Sequence, residues 1–380
     1  MPEDATADQR FFRATTRDFL ADTMPVTTVR ELAEADAGFD RDWWRRGAEL
    51  GWTAMLVPED LGGGSVSGHP MTELAIVAEE LGRATAPGPF VVTSAVLAGL
   101  ATSEARFADT VATILTGATV ATWAIYEPGD GFGALGGTAE PRVRAVPDGD
   151  GYRLDGLKDR VEAADQADLL LVTAAGADGC VQLLVPVDTP GVTVQPTWTL
   201  DLTRRTAQVG FDDVRLDSAA VVHTGAAATS AIRTQARTAA LLTAAESTGA
   251  AGVALDRTLS WLFDRYTFGR PLASYQALKH RMADNKTWLE ACRATSFAAA
   301  ALWDAGAADP DEAVSVAKSY VGAKAPAIAQ DCVQLHGGIG VTWEHDLHLY
   351  LRRITLGRAL YGTPEEHRRH LTDLLERSAA

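Results

Sequence analysis

Apolar side chains recur at helical spacing through the first part of the chain. Three segments place them at i, i+3, i+4 and i+7, the repeat of one helix face: "RFFRATTRDFLAD", "DRDWWRRGAELGW" and "TELAIVAEELGRATA". Between the last two, Pro58 and the glycine run 62–64 predict a loop. Residues 1–115 are therefore expected to form an N-terminal helical domain.

The pattern changes at about residue 116. From there to about residue 225 the chain consists of short alternating or apolar runs, such as "TWAIYE", "YRLDGL" and "CVQLLVPV", separated by Gly, Asp and Pro. This texture predicts a central antiparallel β domain, a sandwich or a barrel. Residues 226–380 return to helical spacing in Ala-rich text, which predicts a C-terminal four-helix bundle and places the chain in the α+β class.

Two interruptions of the C-terminal helices are candidate ligand sites. In "RYTFGRP", Gly269 and Pro271 break a long helical pattern, so that the flanking side chains sit at a hairpin. In "QLHGGIG", glycines follow an apolar helix and allow close backbone approach to a ligand. Each has a plainer explanation as a helix end. Neither is a P-loop, and no GxGxxG follows a strand.

Composition narrows the classes of partner. The chain has 380 residues and a formal net charge of -16, which argues against holding a phosphate backbone by bulk electrostatics, so no nucleic acid is expected. No apolar run of membrane-spanning length occurs, and the acidic start lacks a secretory pattern. Three widely spaced cysteines form no metal motif and fit a reduced compartment. We expect a cytoplasmic protein without a metal.

The motifs together resemble the flavin-dependent acyl-CoA dehydrogenases. The resemblance rests on "RYTFGRPLASYQALKHRMAD", "QLHGGIGVTWEHDLHLYLRR" and "LYGTPEEHRRHL", and on "LGWTAMLVPEDLGG" and "AEELGRATAPGPF" near the start. In pattern it is similar to actinobacterial subunits that degrade steroids and their side chains, several of which are α2β2 heterotetramers. The segments keep the family's order over nearly the whole chain, and the independent helix, β, helix interpretation agrees with them.

The resemblance implies an FAD laid across a subunit interface. Arg265 would face the pyrophosphate or adenosine end, and Thr363 the flavin region. Phe268 and Gln276 would line the cofactor, while the "QLHGG" segment would hold it from the other subunit. The implied cofactor-binding residues are Arg265, Phe268, Gln276, Gln334, Gly337, Gly338 and Thr363.

The β domain departs from the family at its flavin-ring segments. The family's Thr-Glu-Pro run followed by Gly-Ser-Asp reads "IYEPGDGFG", which keeps Glu127 and Pro128 but places Tyr126 and Phe132 at the hydroxyl positions. The second segment, "GLKDRVEAADQAD", keeps Gly156 and Lys158 but has 161–163 in place of the ring-facing group. Glu162 would repel a reduced, anionic flavin. These departures leave both alternatives open: flavin binding by this chain's own β domain, and flavin-ring contacts supplied by another chain.

The α-proton base is also displaced. Desaturation of an acyl-CoA needs a carboxylate whose pKa is raised by burial, and the family commonly places a Glu directly before the Gly-Thr of the last motif. This chain has Tyr361 there. Glu246, in "LLTAAESTGAAG", is the candidate base because its small, apolar neighbours predict a roomy, desolvated cleft. The alternatives are a helix-surface carboxylate, and a family position nearer Ala239.

Three functional hypotheses follow. In the first, the chain is an acyl-CoA dehydrogenase subunit that uses Glu246 and a shared FAD on a bulky or branched acyl-CoA, possibly one with a steroid side chain. In the second, it is a catalytically silent subunit that donates cofactor contacts to a homologue. In the third, it is a homo-oligomeric family member redirected to other chemistry, such as that of a flavin oxidase or a CoA-ester lyase. The resemblance implies a homo- or hetero-tetramer with a homologous chain, an acyl-CoA substrate and an electron-transferring flavoprotein as acceptor. His367, Arg368, Arg369 and His370 are expected on a solvated final helix.

Overall fold

The computed structural model describes residues 5–35, 38–103, 105–136, 139–306 and 310–379. Its helices are α1 (Ala7–Thr23), α2 (Val26–Glu34), α3 (Arg41–Glu49), α4 (Pro70–Ala84), α5 (Phe90–Leu100), α6 (Ala108–Leu115), α7 (Phe132–Leu135), α8 (Gly225–Asp264), α9 (Gln276–Asp304), α10 (Asp311–His336), α11 (Leu347–Ala359) and α12 (Pro364–Ala379). Its strands are β1 (Ala121–Ala124), β2 (Arg144–Asp148), β3 (Gly151–Glu162), β4 (Leu169–Gly176), β5 (Gly179–Pro186), β6 (Val192–Thr197), β7 (Thr206–Leu216), β8 (Val221–Thr224), β9 (Tyr266–Thr267) and β10 (Arg270–Pro271).

The N-terminal helices enclose α4 and α5, which are buried almost throughout. Helix α1 begins at a capping box, in which the Thr6 side chain accepts from the Gln9 backbone and the Gln9 side chain accepts from Thr6. It packs on α4 partly through ion pairs from Arg13 to Glu79 and Glu80, at 2.7 and 2.9 Å. The expected N-terminal helical unit is therefore present.

The central strands form one sheet in the order β6-β7-β3-β2-β4-β5-β8, with β1 paired to β4. Most ladders are antiparallel, but β1–β4 and β2–β4 are parallel. The sheet is therefore mixed, and the expectation of a purely antiparallel β domain is wrong on this point. Two parallel pairings arise because β1 and β2 run in the same direction along one side of β4, β1 beside its first residues and β2 beside Ala175, while β5 pairs with the other side.

The C-terminal helices pack around α8, the longest helix, which has 40 residues. One core cluster joins α8, α9, α10 and α11, while a second links α8 to the N-terminal helices. Helix α8 is therefore the element shared by both helical parts. No helix in the described ranges is long and apolar enough to cross a membrane.

Candidate functional site

The small residues around Glu246 are helix-packing positions. A Cβ on Gly82 of α4 would overlap the carbonyl oxygen of Glu246, and a Cβ on Gly249 of α8 would overlap that of Glu79. The two backbones therefore cross in close contact at these glycines. The expected roomy cleft around Glu246 is wrong, because α4 occupies the space that the small side chains leave.

Glu246 is nevertheless buried, with 5% of its surface exposed, and it lies between two arginines. Arg353 of α11 donates from Nη1 to Oε1 at 2.7 Å, and Arg204 pairs with the other carboxylate oxygen. Two guanidinium groups at contact distance stabilise an ionised carboxylate. The surroundings of the Glu246 carboxylate are therefore charged, and not the apolar ones that its sequence neighbours predict.

Arg353 connects all three parts of the fold. Besides Glu246, it pairs with Asp201 and hydrogen-bonds Thr203, both on the connection between β6 and β7. It also donates to the carbonyls of Thr85 and Ala86 after α4, at 3.2 and 3.1 Å. Because Arg353 is only 1% exposed, each of these bonds lies in a region from which water is excluded.

The ion pairs continue to Tyr361. Arg204 also pairs with Glu162 at the end of β3, and the Tyr361 hydroxyl donates to the other Glu162 oxygen at 2.6 Å. The Tyr361 ring stacks on Trp123, with centroids 6.5 Å apart and planes at 4°. Burial, followed by the Glu162 charge, raises the pKa of Tyr361 well above its usual value, so the phenol stays protonated and donating. We call Glu162, Asp201, Arg204, Glu246, Arg353 and Tyr361 the ion network.

The retained residues of the two flavin-ring segments form a structural pair. Lys158 donates to Glu127 at 2.8 Å, and both side chains are buried. Glu127 also accepts from the backbones of Arg142 and Val143, at 2.6 and 2.9 Å. Burial opposes its ionisation, but Lys158 and these donors hold the pKa of Glu127 below its usual value. Both residues are therefore satisfied within the chain.

A cleft of about 820 Å³ opens beside the ion network. Tyr361 is one of its lining residues, together with side chains of α7, α8, α10 and α12. Its apolar surface comes from Phe132, Leu135, Ala236, Ala240 and Val314, and its charged surface includes Arg233, Arg237, Asp311, Glu366 and Arg369. His367 also lines it and is buried, so the expectation that this histidine is solvated is wrong.

Thr363 caps the last helix. Its hydroxyl and backbone N–H each donate to Glu366 at 2.8 Å, and the Glu366 N–H donates back to the hydroxyl at 3.3 Å. Thr at the cap, Pro364 at the first helical position and Glu366 three residues on are a capping-box signature. That signature was present in the sequence, and it accounts for Thr363 without a flavin.

The first interruption is a two-residue β-hairpin. Strands β9 and β10 pair through Thr267 and Arg270, and the turn residues Phe268 and Gly269 have φ of 54° and 79°. Positive φ at both positions defines a type I′ turn. Phe268 is 94% exposed in this strained conformation. Gln276 begins α9 and contacts His280 at 3.1 Å on the exposed surface.

The second interruption lies beside the hairpin. Trp261 of α8 stacks on His336, with centroids 5.3 Å apart, and the Arg265 guanidinium lies 6.0 Å from the Trp261 ring. Helix α10 ends at His336, and a Cβ on Gly337 or Gly338 would meet open space. Arg265, Gln334 and the two glycines are therefore exposed at one end of the bundle.

The exposed end of the helical bundle and the flavin-ring segments of the β domain differ in how they fit an FAD. An exposed arginine and glycine backbones open to solvent suit the pyrophosphate end of the cofactor. The segments that the family uses for the flavin ring are instead committed to the ion network and to the Glu127–Lys158 pair. The outer cofactor residues fit the group, and the ring-facing residues of this chain do not.

Sequence reasoning missed Arg204, Arg353 and Asp201. The only local signal was a pair of arginines in each of the segments "DLTRRT" and "LYLRRITL", where charged side chains interrupt apolar text. A buried arginine requires a carboxylate partner, but its identity depends on contacts far apart in sequence.

Comparisons with known proteins agree with this fold. Residues 6–118 match the N-terminal domain and residues 229–375 the C-terminal domain of acyl-CoA dehydrogenases. Acyl-CoA dehydrogenase IpdE2 of Mycolicibacterium smegmatis is 32% identical over 90% of this chain and 91% of its own length. A variant of the Tcur3481–Tcur3483 steroid ACAD superposes with a TM-score of 0.86 at 30% identity, covering 98% of both chains.

A chain of the ChsE4–ChsE5 complex from Mycobacterium tuberculosis superposes with a TM-score of 0.87 at 25% identity, and the alignment covers 99% of both chains. The predicted helix, β, helix architecture is thereby confirmed. The chain belongs to the acyl-CoA dehydrogenase family, FAD-dependent oxidoreductases that act on the CH–CH bond of an acyl-CoA.

Proposed function

We propose that this chain is the cofactor-sharing, catalytically silent subunit of a heteromeric acyl-CoA dehydrogenase that desaturates a bulky acyl-CoA of the steroid-derived class. A homologous partner chain supplies the flavin-ring contacts and the base. This chain supplies Arg265, Phe268 and Gln276 from its hairpin side, and Gln334, Gly337 and Gly338 from the end of α10. An electron-transferring flavoprotein is the proposed acceptor.

The ion network carries the proposal. Tyr361 stands where the family commonly has its base, and its phenol donates to Glu162 rather than accepting a proton. Glu246, the other candidate base, is paired with two arginines. Both of its carboxylate oxygens accept charge-assisted hydrogen bonds from guanidinium groups, so neither oxygen is free to contact a substrate. Neither position supports abstraction of an α proton.

The exposed apolar side chains near the hairpin support assembly with another protein chain. Around the hairpin and the end of α10, large apolar side chains are left exposed: Phe263 at 61%, Phe268 at 94%, Val341 at 75% and Trp343 at 48%. Exposed apolar groups of this size mark interaction surfaces in proteins. Two similar structures carry paired names, Tcur3481–Tcur3483 and ChsE4–ChsE5, which favours an unlike chain as the partner.

The substrate class rests on the relatives. One similar structure is described as a steroid ACAD.

Flavin content tests the division of labour. The chain is purified alone and after co-expression with a homologous acyl-CoA dehydrogenase chain that retains the Glu before its Gly-Thr motif, and flavin absorbance is measured per subunit. We expect almost no flavin on the chain alone and one flavin per pair in the complex. Arg265→Ala should lower the flavin content, and Arg10→Ala, an arginine outside the hairpin, serves as the control.

Turnover of the complex tests whether this chain is catalytically silent or supplies the base. Glu246→Gln in this chain should leave the desaturation rate of an acyl-CoA unchanged. A loss of rate with flavin content and folding retained would assign the base to Glu246 and reject the proposal. One flavin per chain in the isolated protein would reject it independently.

A further inference from the structure

Lys318 is a buried lysine that binds only backbone carbonyls. It lies on α10, is 1% exposed, and donates to the carbonyl oxygens of Gly357, Arg358 and Gly362 at 3.0, 3.4 and 2.7 Å. Within the part of the chain that the structure describes, no carboxylate lies at ion-pair distance from its Nζ. A buried ammonium group without a counter-ion is costly, and burial lowers the pKa of Lys318 to about 7, so its position requires an explanation.

The three carbonyls belong to one helix end and the turn that follows it. Gly357 and Arg358 are in the last turn of α11, where carbonyls have no partner within the helix and carry the negative end of its dipole. Gly362 lies beyond it, in the turn that leads to α12. Lys318 therefore joins the end of α11 to the turn by three donors from one group.

His367 holds the same turn from the other side. Its Nε2 donates to the Tyr361 carbonyl at 3.0 Å, and its Nδ1 accepts from the Ser315 hydroxyl at 3.1 Å. This tautomer requires a neutral ring. Burial, followed by the Lys318 charge, lowers the pKa of His367 to about 4, which keeps the ring neutral.

Tyr361 is consequently fixed at every polar atom. Its N–H donates to the Tyr126 hydroxyl at 3.1 Å, its carbonyl accepts from His367, and its phenol donates to Glu162 at 2.6 Å. The backbone is strained at Tyr361, where φ is 54°, and the following Gly362 has a φ of 99°, which glycine adopts readily. A non-glycine residue keeps a left-handed conformation only when its surroundings determine it.

We infer that Lys318 and His367 are positioning residues that clamp the Tyr361–Gly362 turn, so that the phenol forms a fixed wall of the cleft. Lys318 acts through the Gly362 carbonyl and His367 through the Tyr361 carbonyl. Without the clamp, Tyr361 would relax to negative φ and withdraw its hydroxyl from Glu162. The inference concerns this chain alone and stands whether or not the flavin is shared.

Fluorine NMR of the chain labelled with 3-fluorotyrosine tests the clamp. The sequence has seven tyrosines, and Tyr361→Phe assigns the resonance of interest. Lys318→Met removes the charge and the three hydrogen bonds while keeping an unbranched side chain. Lys324→Met is the matched control, because Lys324 lies on the same helix but contacts Trp288 instead.

We expect Lys318→Met to shift the Tyr361 resonance or broaden it beyond detection, and Lys324→Met to leave it in place. His367→Ala should move the same resonance, and His367→Gln, which can still donate to the Tyr361 carbonyl, should restore it. A lowered melting temperature with an unmoved Tyr361 resonance would reduce Lys318 and His367 to packing residues and overturn the inference.

Hydrogen exchange of the unmodified chain gives a test that no folding defect can obscure. The amide of Tyr361 donates to the Tyr126 hydroxyl inside the clamp, so it should exchange as slowly as the core of α8. Exchange as fast as that of an exposed loop would show that the turn is open in solution, and this result also would overturn the clamp.

Discussion

At the scale of single residues, the charge balance of the ion network decides how Glu246 should be understood. The network contains three carboxylates, Glu162, Asp201 and Glu246, and two guanidinium groups. Its formal charge is therefore -1, and each arginine retains a carboxylate even without Glu246. The Tyr361 hydroxyl, which donates to Glu162, partly compensates for the excess negative charge.

This balance predicts unequal effects of two substitutions. Glu246→Gln should lower the free energy of unfolding by only about 1–2 kcal/mol, the cost of weakened hydrogen bonds, because Arg353 keeps Asp201 and Arg204 keeps Glu162. Arg204→Met should lower it by about 3–5 kcal/mol, because it deprives two buried carboxylates of their shared cation. Urea unfolding of the two variants, followed by circular dichroism, measures the difference.

The test is which substitution, Glu246→Gln or Arg204→Met, lowers the free energy of unfolding more. If Glu246→Gln were the more destabilising change, Glu246 would be the principal partner of both arginines and the network would depend on its charge. Arg205→Met serves as a control, because Arg205 is a neighbouring arginine that pairs with Asp165 outside the network.

At the scale of elements, the periodicity of apolar residues predicted the helices and strands. It did not predict which elements contact each other in the folded chain. Long amphipathic or Ala-rich segments such as α4 and α8 are specified locally. The parallel pairings of β4 with β1 and β2, and the bond between Arg353 and Glu246, which lie 107 residues apart, depend on the folded chain. The space around Glu246 was misjudged for this reason, since small neighbours are equally consistent with an open cleft and a close helix crossing.

The crossing of α4 and α8 makes its own prediction. Gly249→Ala should destabilise the protein by about 1–3 kcal/mol or more, because its Cβ would overlap the Glu79 carbonyl and force the helices apart. Gly252→Ala, one turn later on α8, is the matched control: its Cβ would meet Arg83, Leu289 and Arg293 at ordinary distances of 3.7–3.8 Å.

Gly252→Ala should be neutral or stabilising by up to about 1 kcal/mol, through the higher helix propensity of alanine. Thermal unfolding of both variants gives the comparison. Equal behaviour of the two would mean that α4 and α8 are not in close contact at Gly249, and that the space around Glu246 is larger than the structure has it.

At the scale of the whole molecule, the ion network is buried, whereas the hairpin and the end of α10 are exposed. Arg353 of α11 hydrogen-bonds the end of α4, the connection between β6 and β7, and α8. These parts of the interior are therefore held together by contacts within one chain. The hairpin side instead exposes apolar groups and glycine backbones. A molecule of this kind should be stable alone and functional only in a complex.

Phe268 gives the most direct test of that conclusion. Its ring is 94% exposed, and its φ of 54° strains the turn, so none of the residues that the structure describes compensates for a phenylalanine at this position. Phe268→Asn should leave the isolated chain as stable or slightly more stable, because asparagine tolerates a left-handed conformation. The same change should weaken assembly with the homologous chain and lower the flavin content of the complex.

Trp198→Ser, which removes an aromatic side chain that is 79% exposed on the connection after β6, is the control for general loss of exposed apolar surface. Sedimentation velocity with flavin absorbance follows both quantities. If Phe268→Asn assembled and retained flavin as well as the unmodified chain does, the hairpin would lie outside the interface, and the strained turn would have no role in the complex.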